Sequence, residues 1–206
     1  MALGDSYIDA AALAAYLGIG DSYDSLLLNS ACDTATEAVN QHCQRQFQKV
    51  TVATARVYRA RDCSTLEVDD FYSTTGLVIA TDGGDTGTYS TTWTTADYVL
   101  EPFDGVDAGM TGFPDRTVRA VESLTFPTSG YRARVQVTAL WGWTAVPDSV
   151  TLATKIMAAY LFNLKDSPLG VAYFGDAGLI RVRDVPQATM LLDPYAHPAR
   201  TGPLVA

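Results

Sequence analysis

Apolar and small residues recur every three or four positions in three stretches of this chain. Between the second and the third stretch they alternate with polar ones instead. Residues 8–17 read Ile-Asp-Ala-Ala-Ala-Leu-Ala-Ala-Tyr-Leu and are followed by Gly18. Asp9 is placed to cap a helix N-terminus, alanine is the best helix former, and Gly18 is placed to end the helix. A second helix start falls at Asp21. From Ser22 to about Gln46, the positions Leu27, Leu28, Ala31, Ala35, Ala38, Val39 and Cys43 share one face. That pattern predicts an amphipathic helix of roughly 24 residues, about 36 Å long at 1.5 Å per residue. Its alanine-rich face permits close approach by another helix, and Phe47 is expected to close its end against the core.

The pattern changes after Lys49. Val50–Arg59 alternates, and Thr65–Val68 and Leu77–Thr81 read as two short strands. Asp82-Gly83-Gly84-Asp85 is predicted to turn the chain, since glycine supplies the positive φ of tight hairpins. Thr86–Thr95, rich in Thr, Tyr and Trp, suits a half-exposed strand. Asp97–Leu100 and Val118–Phe126 are further strands, separated by a Gly/Pro-containing loop from Pro102 to Pro114. The last strand is Arg132–Trp141, in which Val135, Val137, Ala139 and Trp141 fall on one face.

This last strand runs into Gly142-Trp143-Thr144-Ala145-Val146-Pro147 and then into a helix carrying Val150, Ala153, Met157, Tyr160, Leu161 and Leu164 on one face. Pro147 fits the first helical turn, where its missing N–H is no loss. Trp141, Trp143 and Pro147 are therefore expected to form a structural joint, tying the β region to the helices of 22–46 and 148–165. Beyond Lys165, prolines and glycines break any regular pattern, yet Val171, Tyr173, Phe174, Leu179, Ile180, Leu191, Leu192 and Tyr195 remain apolar. Such a tail either docks onto a partner or packs back along its own domain.

The reading is thus α+β. A small helical bundle of a short N-terminal helix, a long helix and a C-terminal helix carries an inserted antiparallel β region and an extended irregular C-terminal tail. The segments are 1–49, 50–146, 147–165 and 166–206.

Composition narrows the function. Nearly half of the 206 residues are hydrophobic, which favours a folded core. No apolar run reaches the length of a membrane span, and residues 1–5 carry neither the basic region nor the apolar segment of a secretory signal. Cys32, Cys43 and Cys63 lack CxxC spacing, so buried thiols are favoured over disulfides or metal ligands. The formal charge of −9 is uneven: eleven acids and no Lys or Arg lie between Asp62 and Asp115, leaving the other residues twelve acids and fourteen bases, a net of +2. An acidic β region does not suit general DNA binding, which needs clustered cations. It would repel nucleic acid, or it would simply maintain solubility.

Catalytic chemistry is sparse, and no enzyme activity or cofactor is expected. His42 and His197 have no nearby nucleophile in a recognised arrangement. Asp82-Gly83-Gly84-Asp85-Thr86-Gly87 lacks the acidic spacing of an EF-hand, so a hairpin turn is the better reading. Asp69, Asp70, Asp104 and Asp107 read as solvated loop acids before they read as paired carboxylates or a metal site. Trp93, Tyr89 and Tyr98 suit either a sugar-stacking platform or the packing of a small sheet. The first of these is the basis for an alternative, a β-rich carbohydrate-binding module.

Taken in order, several elements resemble the head-to-tail adaptor (connector) proteins of long-tailed bacteriophages. They are the short helix Ile8–Leu17 with Gly18-Ile19, and the long helix from Asp24 ending in Cys43-Gln44-Arg45-Gln46-Phe47. The β segment with Asp97-Tyr98-Val99-Leu100 and the closing Val137–Pro147 unit complete the order. The resemblance implies a homo-oligomeric ring, typically twelvefold, in the virion neck. It would sit beneath the portal protein and seat a stopper, tail-terminator or other neck protein. Double-stranded DNA would pass through without sequence-specific binding, and the chain would be made in the host cytoplasm with no membrane involvement. It also implies a portal-reaching tail, carried here to Tyr173, Phe174, Leu179, Ile180, Leu191, Leu192 and Tyr195. Asp69, Asp70, Asp104 and Asp107 are then candidates to face the lumen or the next ring. Another neck or tail-completion protein shares ring assembly but lacks the helical pair.

Overall fold

A computed structural model describes residues 5–20, 25–121, 123–130, 132–164 and 185–197. The chain divides into two compact units, Met1–Gln48 with Val146–Ala206, and Lys49–Ala145.

The first unit is helical. Helix α1 spans Ala10–Leu17, with the Asp9 carboxylate accepting from the Ala12 N–H at 2.7 Å. Gly18 sits at φ 68°, and the Ile19 N–H reaches the Ala14 carbonyl at 3.1 Å, so the glycine ends the helix as its position predicts. Helix α2 spans Ser25–Cys43, shorter than the predicted reach to Gln46. The stop is Gln44, held at φ 53°, while the Arg45 N–H returns to the Asn40 carbonyl at 3.3 Å. This is the same closure as at Gly18, made by a residue that carries no glycine signal. Helix α3 spans Asp148–Leu164; the Thr151 N–H donates to the Pro147 carbonyl at 3.0 Å, which places the proline at the helix start.

A further helix, α4, spans Pro186–Leu192 and runs into a 3-10 turn, Asp193–Tyr195, inside the stretch expected to be irregular. Helix α2 packs on α3, α1 touches both, and α4 packs on α3. Leu13, Leu28, Ala35, Val39, Phe47, Val150, Ala153, Met157, Ala188 and Leu192 are buried. Their alanines are what let these helices approach.

The second unit is a six-stranded antiparallel sheet ordered β1-β6-β2-β5-β4, with β3 pairing β2. The strands are β1 Thr54–Tyr58, β2 Thr65–Thr81, β3 Thr91–Thr92, β4 Tyr98–Glu101, β5 Asp115–Ala120 and β6 Val135–Trp141. The two short strands predicted at 65–68 and 77–81 are one long strand. Its first half pairs β5 and its second half pairs β6, with register shifts between Glu67 and Phe71 and between Phe71 and Val78. Those irregularities interrupt the period of two, which is why the sequence reads as two pieces. The predicted strand Thr86–Thr95 shrinks to Thr91–Thr92, and the strand predicted over Val118–Phe126 ends at Ala120. The core gathers Leu66, Val68, Phe71, Ile79, Trp93, Val118, Phe126 and the inward row Val135, Val137, Ala139 and Trp141.

Candidate assembly and docking surfaces

Three of the four acids expected in solvated loops have structural partners. Asp69 and Asp70 lie within β2. Asp69 accepts from the Arg56 guanidinium and from the Tyr58 hydroxyl, the latter at 2.9 Å. Burial and the neighbouring Asp69 charge push the Tyr58 phenol well above its ordinary range. Asp70 is buried and accepts from the Trp143 indole N–H at 2.9 Å. Asp107 pairs with Arg116 at 2.7 Å. Asp69 and Asp104 are both exposed, and Asp104 lies in a 3-10 turn after β4.

Two glutamates of the acidic block are also paired with arginines. Glu101 makes a two-point contact with Arg119 at 2.9 and 3.2 Å, and Arg61 reaches Glu67 at 3.3 Å. The arginines come from outside the block, Arg119 through the pairing of β5 with β4, so linear charge counting overstates the acidity of the folded surface.

Asp82, considered for calcium, organises a turn instead. Its carboxylate accepts from the N–H groups of Gly84 at 3.1 Å, Thr86 at 3.2 Å and Gly87 at 2.6 Å. Burial raises its pKa, and these donors outweigh that and hold it below the ordinary carboxylate range. The buried Arg134 closes the same loop by donating to the carbonyls of Asp82 at 2.7 Å and Ser129 at 2.7 Å. Among the described residues, no group of three or more His, Cys, Asp or Glu side chains is placed to hold a metal, and no helix is long and apolar enough to cross a membrane.

Tyr173, Phe174, Leu179 and Ile180 lie outside the described residues. The remaining tail candidates fold back onto their own unit. Leu192 is fully buried, which removes it as a docking residue, and Tyr195 packs edge-on to Phe47 at 6.2 Å. The Asp193 carboxylate contacts His42 Nε2 at 3.0 Å, and the His197 N–H donates to the Cys43 carbonyl at 2.8 Å. Leu191 is half-buried. Cys32 and Cys43 are buried free thiols, Cys63 is exposed, and burial pushes the Cys32 thiol up to about 11.

The aromatic turn is packed within the β unit. Trp141 donates to the Thr54 carbonyl at 2.8 Å and meets Phe71 edge-on at 6.2 Å, with Arg56 over its ring at 4.5 Å. Trp143 lies 5.1 Å from the Phe113 ring. Trp93 is stacked on Phe126 at 4.4 Å and donates to the Thr81 hydroxyl at 3.2 Å, so it is not a face on which sugar could stack. Tyr89 donates to the Ala133 carbonyl at 2.9 Å. The carbohydrate reading thereby loses its platform.

Sequence reasoning missed the exposed Phe103, Val57 and Val78. An aromatic inside a Gly/Pro-rich loop was a readable signal for the first. The valines needed the strand register.

The structure thus defines a two-unit α+β chain whose potential reactive groups are largely committed to its own framework. No family model matches the chain, and no curated protein matches it. Solved structures with the same fold exist. Over 95% of its length the chain is similar to a chain from the neck of an empty gene transfer agent (GTA) particle computed with C6 symmetry, with TM-score 0.54, 15% identity and 92% of that chain covered. A chain from the neck of a native GTA particle computed with C12 symmetry gives TM-score 0.50, 16% identity and 95% coverage on each side. A chain of the native GTA virion gives 0.52 and 18%, with 92% of that chain covered. At these identities the likeness establishes the fold.

Proposed function

We propose that this chain is a structural, non-enzymatic neck protein of a phage-like particle, a head-to-tail adaptor. Copies form a ring, twelvefold in this reading, beneath the portal. The ring seats the next neck or tail component and lets double-stranded DNA pass without sequence-specific contact. The observation that carries the reading is the shared fold, over 95% of the chain, with a chain of a neck computed with C12 symmetry. The order of short helix, long helix, β region and closing helix favours an adaptor over a stopper, which lacks the helical pair.

Portal docking is assigned to Tyr173, Phe174, Leu179 and Ile180. Leu192 serves the fold of the protomer, and Asp104 is the acid of the original four best placed to face a lumen or a next ring. The chain is made in the host cytoplasm and ends in the virion neck.

The test is copurification with the portal ring of the same particle. Wild-type protein should be retained on the ring, and a variant with Tyr173, Phe174, Leu179 and Ile180 all changed to serine should stay folded and be lost. Cutting after Lys165 is a poorer test, because it also removes the buried Val185, Ala188 and Leu192. Normal tailed particles assembled without this protein would overturn the reading.

A further inference from the structure

The C-terminal end of α2 carries its own fastenings. Gln44 at φ 53° and the Arg45 N–H on the Asn40 carbonyl close the helix from within. The Phe47 N–H donates to the Tyr7 hydroxyl at 2.8 Å, and the two rings meet edge-on at 5.8 Å. The same hydroxyl donates to the Asn40 side chain, and the Tyr7 N–H reaches the Thr36 hydroxyl at 3.2 Å. Tyr7 thus pins the chain before α1 to the end of α2.

Residues 185–197 lie over this finished end. Val185, Ala188 and Leu192 are buried, α4 packs on α3, and the Leu192 carbonyl lies 3.9 Å from Cys43 Sγ. The His197 N–H donates to the Cys43 carbonyl at 2.8 Å, and Tyr195 meets Phe47 edge-on at 6.2 Å. Asp193, its side chain 51% exposed, contacts His42 at 3.0 Å. Little within the segment holds it together. Helix α4 has seven residues and an N-cap, Val185, whose side chain accepts no bond, with no acid in its first turn and no base in its last. A helix that short and uncapped does not stand alone. An ion contact half in water adds little. The segment is ordered by the face it covers, and that face is closed by residues of its own.

We propose that residues 185–197 are a strap that opens as one unit from α2 and α3 while α1, α2 and α3 stay folded. Opening uncovers the Cys43 thiol and the Phe47 ring. It also changes how the chain is tethered: a closed strap holds residues 165–184 at both Leu164 and Val185, an open one at Leu164 only. In the neck reading, on which this consequence alone rests, those residues include Tyr173, Phe174, Leu179 and Ile180, so the strap limits their reach. Ile180 is five residues from Val185 and sixteen from Leu164, which spans at most about 17 Å in the first case and about 54 Å in the second.

The test is pulse labelling of the full chain with iodoacetamide across a urea series, with each thiol read by peptide mass. Cys63 is exposed and labels at once, whereas the buried Cys32 and Cys43 label only on opening. Below the unfolding midpoint, Cys43 should label at least tenfold faster than the ellipticity transition allows. Its dependence on urea should be shallower, because a strap exposes less surface than a whole unit. Leu192→Ala weakens the closed form alone and should speed Cys43 labelling at least tenfold. Leu13 is buried in α1, which packs on α2 and α3, so Leu13→Ala weakens the closed and open forms alike. That variant should lower the ellipticity midpoint and leave Cys43 labelling within twofold of wild type. The inference is overturned if Cys43 labels with the free energy and urea slope of the ellipticity transition. It is equally overturned if Leu192→Ala changes nothing, or if Leu13→Ala speeds Cys43 labelling as much as it destabilises the unit. The measurement needs neither ring nor portal, so such a failure leaves the neck reading to copurification.

Discussion

Replacing Trp141 by alanine removes the largest fully buried side chain of the sheet core. The ring rests on Phe71 and Tyr58, under the Arg56 guanidinium, and its N–H is spent on the Thr54 carbonyl. Truncating a buried tryptophan to alanine costs roughly 3–5 kcal/mol in transfer and cavity terms. The orphaned Thr54 carbonyl adds little, because Thr54 is exposed and water replaces the indole. Trp141→Phe keeps most of the volume and should cost about 1–2 kcal/mol.

Urea unfolding can be read separately in each unit. The three tryptophans, Trp93, Trp141 and Trp143, all lie in Lys49–Ala145, so fluorescence follows that unit, while helical ellipticity is dominated by the other. The fluorescence transition of Trp141→Ala should fall by the full amount. A loss below about 1.5 kcal/mol would refute the packing argument, being less than the cavity term alone allows. The joint expected from the sequence adds a condition. If Trp141 also ties the β region to the helices, the ellipticity transition moves with the fluorescence. If it serves the sheet alone, ellipticity stays where it was.

The tail is tested by adjacent residues: Leu192→Ala should cost about 2–4 kcal/mol by chemical denaturation, whereas Met190→Ser, at a side chain 73% exposed, should stay within about 0.5 kcal/mol. Asp82 has a folded pKa below its unfolded one, so its contribution is complete above the unfolded value of about 3.9 and is lost as pH falls through the folded value. Asp82→Asn should therefore lower stability at neutral pH and flatten the acid limb of the stability–pH curve. Asp115 is shifted the other way by burial, so Asp115→Asn should stabilise at neutral pH and converge with wild type below the unfolded pKa. Asp69→Asn and Asp107→Asn should each cost about 0.5–1 kcal/mol through their arginine pairs, while Asp104→Asn should be neutral, since asparagine tolerates positive φ.

What the sequence made legible was whatever depends on near neighbours. Asp9 and Gly18 bound α1 because both caps are local chemistry, and Phe47 and the row Val135, Val137, Ala139 and Trp141 are buried because periodicity reports a face. Gln44 ended α2 without announcing itself, since nothing about glutamine signals a left-handed residue. The long β2 was hidden because its two halves answer to different partners, and each register shift resets the alternation. Helix α4 was masked by Pro186 and Pro194, read as breakers although Pro186 stands where a helix tolerates it, at the first turn.

The acidic stretch from Asp62 to Asp115 shows why the candidate surface was less legible than the fold. Charge along a sequence becomes charge on a surface only where folding leaves it uncompensated. Arg56 and Arg61 precede the stretch, Arg116 and Arg119 follow it, and the fold brings them onto Asp69, Glu67, Asp107 and Glu101, through directly paired strands only for Arg119 and Glu101. Asp62, Asp82 and Asp97 are instead committed to backbone N–H groups of their own turns, and Asp70 to Trp143. Asp85, Asp104 and Asp115 are what remains, and of these Asp104 alone is exposed. A broad repulsive field over the β unit is therefore a weak basis for the neck role proposed above.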